Sequence, residues 1–107
     1  MATTESFVKL VEGVAKDLHF ADHALTMRPI RDPVTGFTRD IQVLSFAVDE
    51  EDGQSVNRVY DITSGKHRAD FEPLLEGRVY RHFTFRVTVR GVSFARSYTV
   101  ERFPRST

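Results

Sequence analysis

The last thirty residues, RVYRHFTFRVTVRGVSFARSYTVERFPRST from Arg78 onward, constrain the fold of this chain more than any other stretch. Apolar and polar side chains alternate on both sides of Gly91, the period-two pattern of half-buried strands. Glycine suits the first central position of a tight hairpin turn. A two-residue Gly91-Val92 turn predicts Arg90 opposite Ser93, Val89 opposite Phe94, Phe85 opposite Tyr98 and Phe83 opposite Val100. Those apolar pairs define an inward face. The other face then carries Tyr80, His82, Thr84, Arg86, Thr88 and Arg90 beside Ala95, Ser97, Thr99 and Glu101, with His82 opposite Glu101. Arg81, Arg96 and Arg102 fall on the inward parity, which predicts a bulge or a barrel-end position for them.

Charge follows the same division. The hairpin holds seven arginines, no lysine, six aromatic residues and one acid, Glu101. Residues 1–57 carry five basic side chains against ten acidic ones, and residues 58–107 carry ten basic against five acidic. The formal net charge of zero is thus the average of two opposed halves. Arginine beside aromatic rings on an extended surface suits phosphates and stacked bases. The same segregation fits a module in which the acidic surface of one copy meets the arginine hairpin of another.

A chain of 107 residues is a single domain, 1–107, with enough length to bury a core without covalent staples. The absence of cysteine excludes disulfides, thiolate metal sites and a cysteine nucleophile. The opening MATTESFVKLVEGV lacks the basic and apolar regions of a signal peptide, and no apolar run approaches a membrane span. We therefore expect a soluble cytoplasmic protein without a membrane partner.

Phe7, Leu10, Val11, Val14 and Leu18 repeat at helical spacing after a Thr3 or Thr4 cap, which predicts an N-terminal helix over 1–20. The period then shortens. His23 to Ile30 reads as a strand, Asp32-Pro33-Val34-Thr35-Gly36 as a turn, and Phe37 to Asp49 as a long second strand. The apolar parity of that strand changes midway, from Phe37, Ile41 and Val43 to Leu44, Phe46 and Val48, which predicts a bulge near Val43. Asp49 to Gly53 forms the next turn and Val56 to Ile62 a third strand. Ser64 caps a short helix that turns Ala69, Phe71, Leu74 and Leu75 inward and ends or kinks at Pro73.

Over residues 23–103 the order strand, strand, strand, helix, strand, strand, with a long second strand and a closing hairpin, resembles the OB-fold, a small five-stranded Greek-key barrel. The expected fold class is therefore mainly β with two helices: an OB-like antiparallel barrel preceded by a helix. An open sheet packed on the first helix, an α+β roll, is the alternative. The resemblance implies a binding surface on the exposed faces of the second and third strands, where Phe37, Arg39, Arg58 and Tyr60 stand. It also implies flanking loops at Asp32 to Gly36 and Arg90 to Ser93.

Other chemistries find less support. His19 and His23 are four apart but lack a third ligand, so no metal or other cofactor is expected. Asp49 to Asp52 lack the alternating oxygen ligands of a calcium loop. Thr63-Ser64-Gly65-Lys66 fails the phosphate-loop pattern at Tyr60 and at His67. No nucleophile stands beside a base and no carboxylate pair shares a cleft, so no catalytic residue is expected. The leading expectation is a non-catalytic module for single-stranded DNA or RNA. In it Arg39, Arg58, Arg86, Arg90 and Arg96 contact phosphates, while Phe37, Tyr60 and Tyr80 stack on bases. The alternative is a protein-interaction or self-assembling module whose partner is an acidic protein or another copy.

Overall fold

Large apolar side chains at alternate positions decide which segments pair. Leu18 and Phe20, Leu44, Phe46 and Val48, Tyr60 and Ile62, and Phe85, Val87 and Val89 lie on successive strands and are all buried. In the computed structural model, which describes residues 6–91 and 96–105, these strands are β2 (Lys16–Arg31), β3 (Thr38–Glu51), β4 (Gln54–Ile62) and β5 (Phe83–Arg90). A two-residue strand, β1 (Ser6–Phe7), precedes them and β6 (Ser97–Pro104) follows. All six join one sheet in the order β1-β4-β3-β2-β5-β6. β1 runs parallel to β4, and the other pairings are antiparallel.

The crossover from β4 to β5 covers the inner face of the sheet. It contains a short helix, α1 (Gly65–Ala69), and 3-10 turns over Glu72–Leu74 and Glu76–His82. Ser64 caps α1 as expected, its hydroxyl accepting from the His67 N–H. Phe71 and Leu74 are buried, whereas Ala69 is exposed. Tyr80 is fully buried against Phe20 and Phe46. Chain reversal within the 3-10 stretch uses positive φ at Gly77 (67°) and Arg78 (52°). Between β3 and β4, Asp52 and Gly53 both have positive φ, the geometry of a two-residue type I′ turn.

Among the described residues 6–20 the expected N-terminal helix does not form. Val11 to Val14 make a reverse turn closed by the Val14 N–H on the Val11 carbonyl, with Gly13 at φ 79°. Leu18 and Phe20 alternate on β2 rather than continuing a helical stripe. Helical spacing is a weak prior, and strand pairing with β3 overrides it. The strand and helix order from residue 23 onward matches expectation, while Lys16 to Phe20 extend the first of these strands instead of ending a helix, and the barrel does not close. β1 occupies the outer edge of β4 at Arg58 and Val59, and β6 pairs only with β5. The architecture is an open six-stranded mixed sheet, mainly β with short helical pieces.

The terminal hairpin keeps its predicted parity but slips by four residues: Arg90 pairs with Ser97, Val89 with Tyr98 and Phe85 with Arg102. Gly91 to Arg96 thus connect the strands, and the expected Gly91-Val92 turn and Phe94 pairing involve residues outside those described. Glu101 faces Arg86, not His82. Arg81 and Arg96 lie outside the strands, and the Arg102 guanidinium rests over the Phe83 ring at 5.2 Å. No helix among the described residues is long and apolar enough to cross a membrane.

Candidate interaction surface

β2 and β3 are longer than the core requires. They stay in one unbroken register from Asp22–Ala47 to Arg31–Thr38, so the bulge expected near Val43 is absent. The register shifts lie instead within the body, where Asp49 of β3 is passed over between His19 and Phe20 and Ala21 of β2 between Phe20 and Asp22. β4 pairs with β3 only as far as Leu44, and β5 pairs with β2 only at Lys16 to Leu18. Residues 26–43 therefore form a two-stranded arm beyond the body, in a molecule 50 Å along its longest axis. Asp32 shapes the tip: its carboxylate accepts from the N–H groups of Val34 (2.8 Å) and Thr35 (3.3 Å), which hold its pKa below the usual value.

Without a bulge, the parity change along β3 moves apolar residues to the opposite face of the sheet. Leu44, Phe46 and Val48 point to the core, while Val43 and Ile41 share the outer face with Ile30 of β2. Phe37, one residue before β3, continues that odd-numbered row. Val43 is buried, but Phe37 is 76% exposed and Val34 at the tip 90%. On the inner face Leu25 and Met27 extend the core row past the crossover and are at least half exposed.

At the base of the arm the outer face holds an open groove of about 360 Å³. Phe7, Ala24, Ala47 and Val59 supply apolar walls, and Asp22, Asp61, Arg28 and Ser45 the polar ones. The register explains the grouping: Phe7 sits beside Val59, Val59 beside Ala47 and Asp61 beside Ser45. Ser45 Oγ donates to Asp61 (2.5 Å) and Arg28 Nη2 to the other oxygen of that carboxylate (3.1 Å).

Opposite charges of the two sequence halves meet within one molecule. Arg28 pairs with Asp61, Arg58 with Glu51, Arg78 with Asp22 (2.9 Å), Arg86 with Asp17 (2.8 Å) and Arg105 with Glu50 (2.7 Å). Each pair joins a residue before position 58 to one from 58 onward. Arg86 also lies over the Phe103 ring at 4.9 Å.

The eight residues expected to bind nucleic acid are not gathered on one face. Tyr60 and Tyr80 are in the core, because Tyr60 is paired with Phe46 on the inner face and Tyr80 belongs to the crossover rather than to a strand. Arg58 and Arg86 are engaged by carboxylates. Phe37 and Arg39 stand at the arm tip, far along the chain from exposed Arg90 and Arg96 at the last hairpin. Arg90 and Arg96 form no ion pair among the described residues.

Buried polar groups bind the crossover to the sheet. Tyr60 Oη lies 2.6 Å from His67 Nε2, and Tyr98 stacks on the His67 ring at 4.1 Å. Burial pushes the His67 pKa down to about 4, against the pull of Asp70, and it raises that of Tyr60 far above the usual range. At neutral pH the His67 imidazole and the Tyr60 phenol are therefore both neutral. His23 Nδ1 lies 2.6 Å from Tyr80 Oη. His19 Nδ1 faces Asp49 (2.6 Å) and its Nε2 the Arg81 carbonyl (2.8 Å), so His19 and His23 serve separate contacts. No cluster of three metal-ligating side chains occurs among the described residues.

The arm and groove were missed in the sequence because the parity change at Val43 was read as a bulge. The signal was present: two apolar rows of opposite parity on one strand mark two buried faces. No protein-family model matches this chain, and no curated protein or solved structure matches it.

Proposed function

We propose that this protein is a non-catalytic interaction module that assembles with copies of itself through the arm of β2 and β3. One observation carries the reading. The outer face of the arm is patterned for burial by Ile30, Ile41, Val43 and Phe37, yet Ile30 and Phe37 stand open to solvent. Val34 at the tip, and Leu25 and Met27 on the opposite face of the β2–β3 hairpin, are exposed as well. Such a surface is the raw material of a docking site.

The driving contact is apolar rather than a meeting of acidic and basic faces, since the arm presents an apolar row and five arginines already pair with carboxylates across the two halves of the chain. Association should therefore persist as salt rises, because screening acts on exposed charges and not on apolar burial. Sedimentation velocity over a wide concentration range, at low and high salt, tests this. A monomer at every concentration rejects it.

The single-stranded nucleic-acid reading retains one supporting observation: Phe37 and Arg39 remain exposed together at the arm tip, with Arg31 nearby. Its test is fluorescence anisotropy of a labelled oligonucleotide at low salt. Binding that is lost in an Arg31→Ala, Arg39→Ala double variant would favour it; no binding at low salt would remove it.

A further inference from the structure

We infer that His19 is a proton-operated clamp that fastens the end of the crossover to β2 at the base of the arm. β5 pairs with β2 only as far as Phe85 on Leu18, so beyond that point this edge of β2 has no neighbouring strand among the described residues. The last residues of the crossover take its place through side chains. Arg81 Nε donates to the Ala21 carbonyl (2.6 Å), Arg78 Nε donates to Asp22 (2.9 Å), and Tyr80 Oη meets His23 Nδ1 (2.6 Å). His19 adds the contact nearest to the point where strand pairing stops. Its Nε2 lies 2.8 Å from the Arg81 carbonyl, while its Nδ1 lies 2.6 Å from Asp49 Oδ1 on β3.

The chemistry of the two partners makes this ring a switch. A backbone carbonyl and a carboxylate can only accept, whereas a neutral imidazole has one donor nitrogen and one acceptor nitrogen. Both contacts therefore exist together only when the ring is an imidazolium. The ring is also well shielded, with 13% of the side chain exposed. Once the proton leaves, one contact must go. Hydrogen bonds to an ionised partner are roughly twice as strong as neutral ones, so the remaining donor stays on Asp49. The Arg81 carbonyl is then left facing a ring lone pair, and the crossover loosens from β2.

The charged groups around the ring have other engagements. Glu50, the register partner of His19, pairs with Arg105 (2.7 Å), and the Arg81 guanidinium is turned to Ala21. The Arg105 N–H donates to the carbonyl of His82, whose side chain is exposed. Asp49 has no other cationic partner among the described residues. His23 faces a hydroxyl, which can donate as well as accept, so a neutral His23 ring keeps its contact. His67 takes up its proton only near pH 4. The clamp is closed where histidine is protonated and opens as pH rises, the direction set by a group that folding favours in its protonated form.

Nuclear magnetic resonance on the full chain tests the clamp. Ring nitrogen shifts locate the pH at which His19 releases its proton. Amide exchange, corrected for its intrinsic rate, is then compared well below and well above that pH. The reporters are the N–H groups of Arg78 and Phe83, which donate to the Leu75 and Tyr80 carbonyls within the crossover. Their exchange is expected to rise about ten-fold above the transition, as one hydrogen bond made by a charged group is lost. His19→Gln carries no titrating proton and should show the fast rate at both pH values. Asp49→Asn, at a half-exposed carboxylate, should show the slow rate at both. There an amide donates to Nδ1 and leaves the Nε2 proton to the Arg81 carbonyl. Equal exchange of the wild type on both sides of the transition overturns the clamp, as does an Asp49→Asn chain that keeps the wild-type response.

Discussion

The body and the arm are made from the same two strands, yet they treat their apolar residues in opposite ways. Within the body, Phe20 of β2 and Phe46 of β3 stack at 4.0 Å and are fully buried under the crossover. A few pairs further along, Ile30 and Phe37 occupy the other face and meet solvent. Backbone pairing continues through both regions, so hydrogen bonding does not distinguish them. What differs is whether this chain supplies a second layer. Alternation specifies that a face is to be buried, but says nothing of which molecule buries it.

The sharpest way to break this contrast is to remove an aromatic ring from each region. Phe20→Ala leaves a cavity among Phe46, Phe71, Tyr80 and Phe85 and should cost about 3–5 kcal/mol of unfolding free energy in urea. Phe37→Ala at low protein concentration should change monomer stability by less than about 0.5 kcal/mol. Comparable losses at the two sites would mean that the arm packs on the body in solution and is no free surface.

The body should also be the region sensitive to acid. His67 is neutral when folded, with a pKa near 4, but takes up a proton near pH 6.5 when unfolded. The unfolded state therefore binds more protons between these values, and its contribution to stability, intact above pH 6.5, is lost as pH falls towards 4. Between pH 7 and pH 5 the expected loss is about 2 kcal/mol. Denaturation of the wild type and His67→Gln at both pH values isolates the contribution. Equal pH dependence in the two proteins would refute it.

A smaller effect is expected where the crossover is tied to the base of the arm. Tyr80→Phe keeps the buried ring and deletes only the hydroxyl that meets His23 Nδ1 at 2.6 Å. The expected loss is about 1 kcal/mol, measured as a shift in the urea midpoint with unchanged slope. No shift would show that water replaces this contact at no cost.

How far these regions could be read from the sequence follows the same line. Pairing parity was legible for β5 and β6, because Phe83, Phe85 and Val89 against Tyr98 and Val100 leave one inward choice. The register was not, since a shift of four residues preserves that parity and only the length of the connection differs. The type of the first segment was misread: Phe7, Leu10, Val11, Val14 and Leu18 satisfy a helical stripe, while Gly13 marks the turn that breaks it. Charge segregation was visible but its meaning was not, because composition cannot show that Arg86 will find Asp17. Tyr60 and Tyr80 illustrate the same limit: a tyrosine between arginines reads as surface until the register with Phe46, or the crossover, takes it inside.

The last test removes the arm itself. Residues 28–41 lie beyond the Met27–Gln42 pair, and an Asn-Gly turn can replace them, since a two-residue type I′ turn already joins β3 to β4 at Asp52-Gly53. The deletion loses the Arg28–Asp61 ion pair, whose arginine is half exposed, and no side chain of the core cluster. Partly exposed pairs of this kind contribute roughly 0–1 kcal/mol, so the shortened chain should melt within a few degrees of the parent at low concentration. It should also remain a monomer where the parent pairs. If instead the shortened chain unfolds, the arm is part of the fold; if it still pairs, the contact lies elsewhere on the body. Only a folded, monomeric product agrees with a strand pair whose outer face is reserved for another molecule.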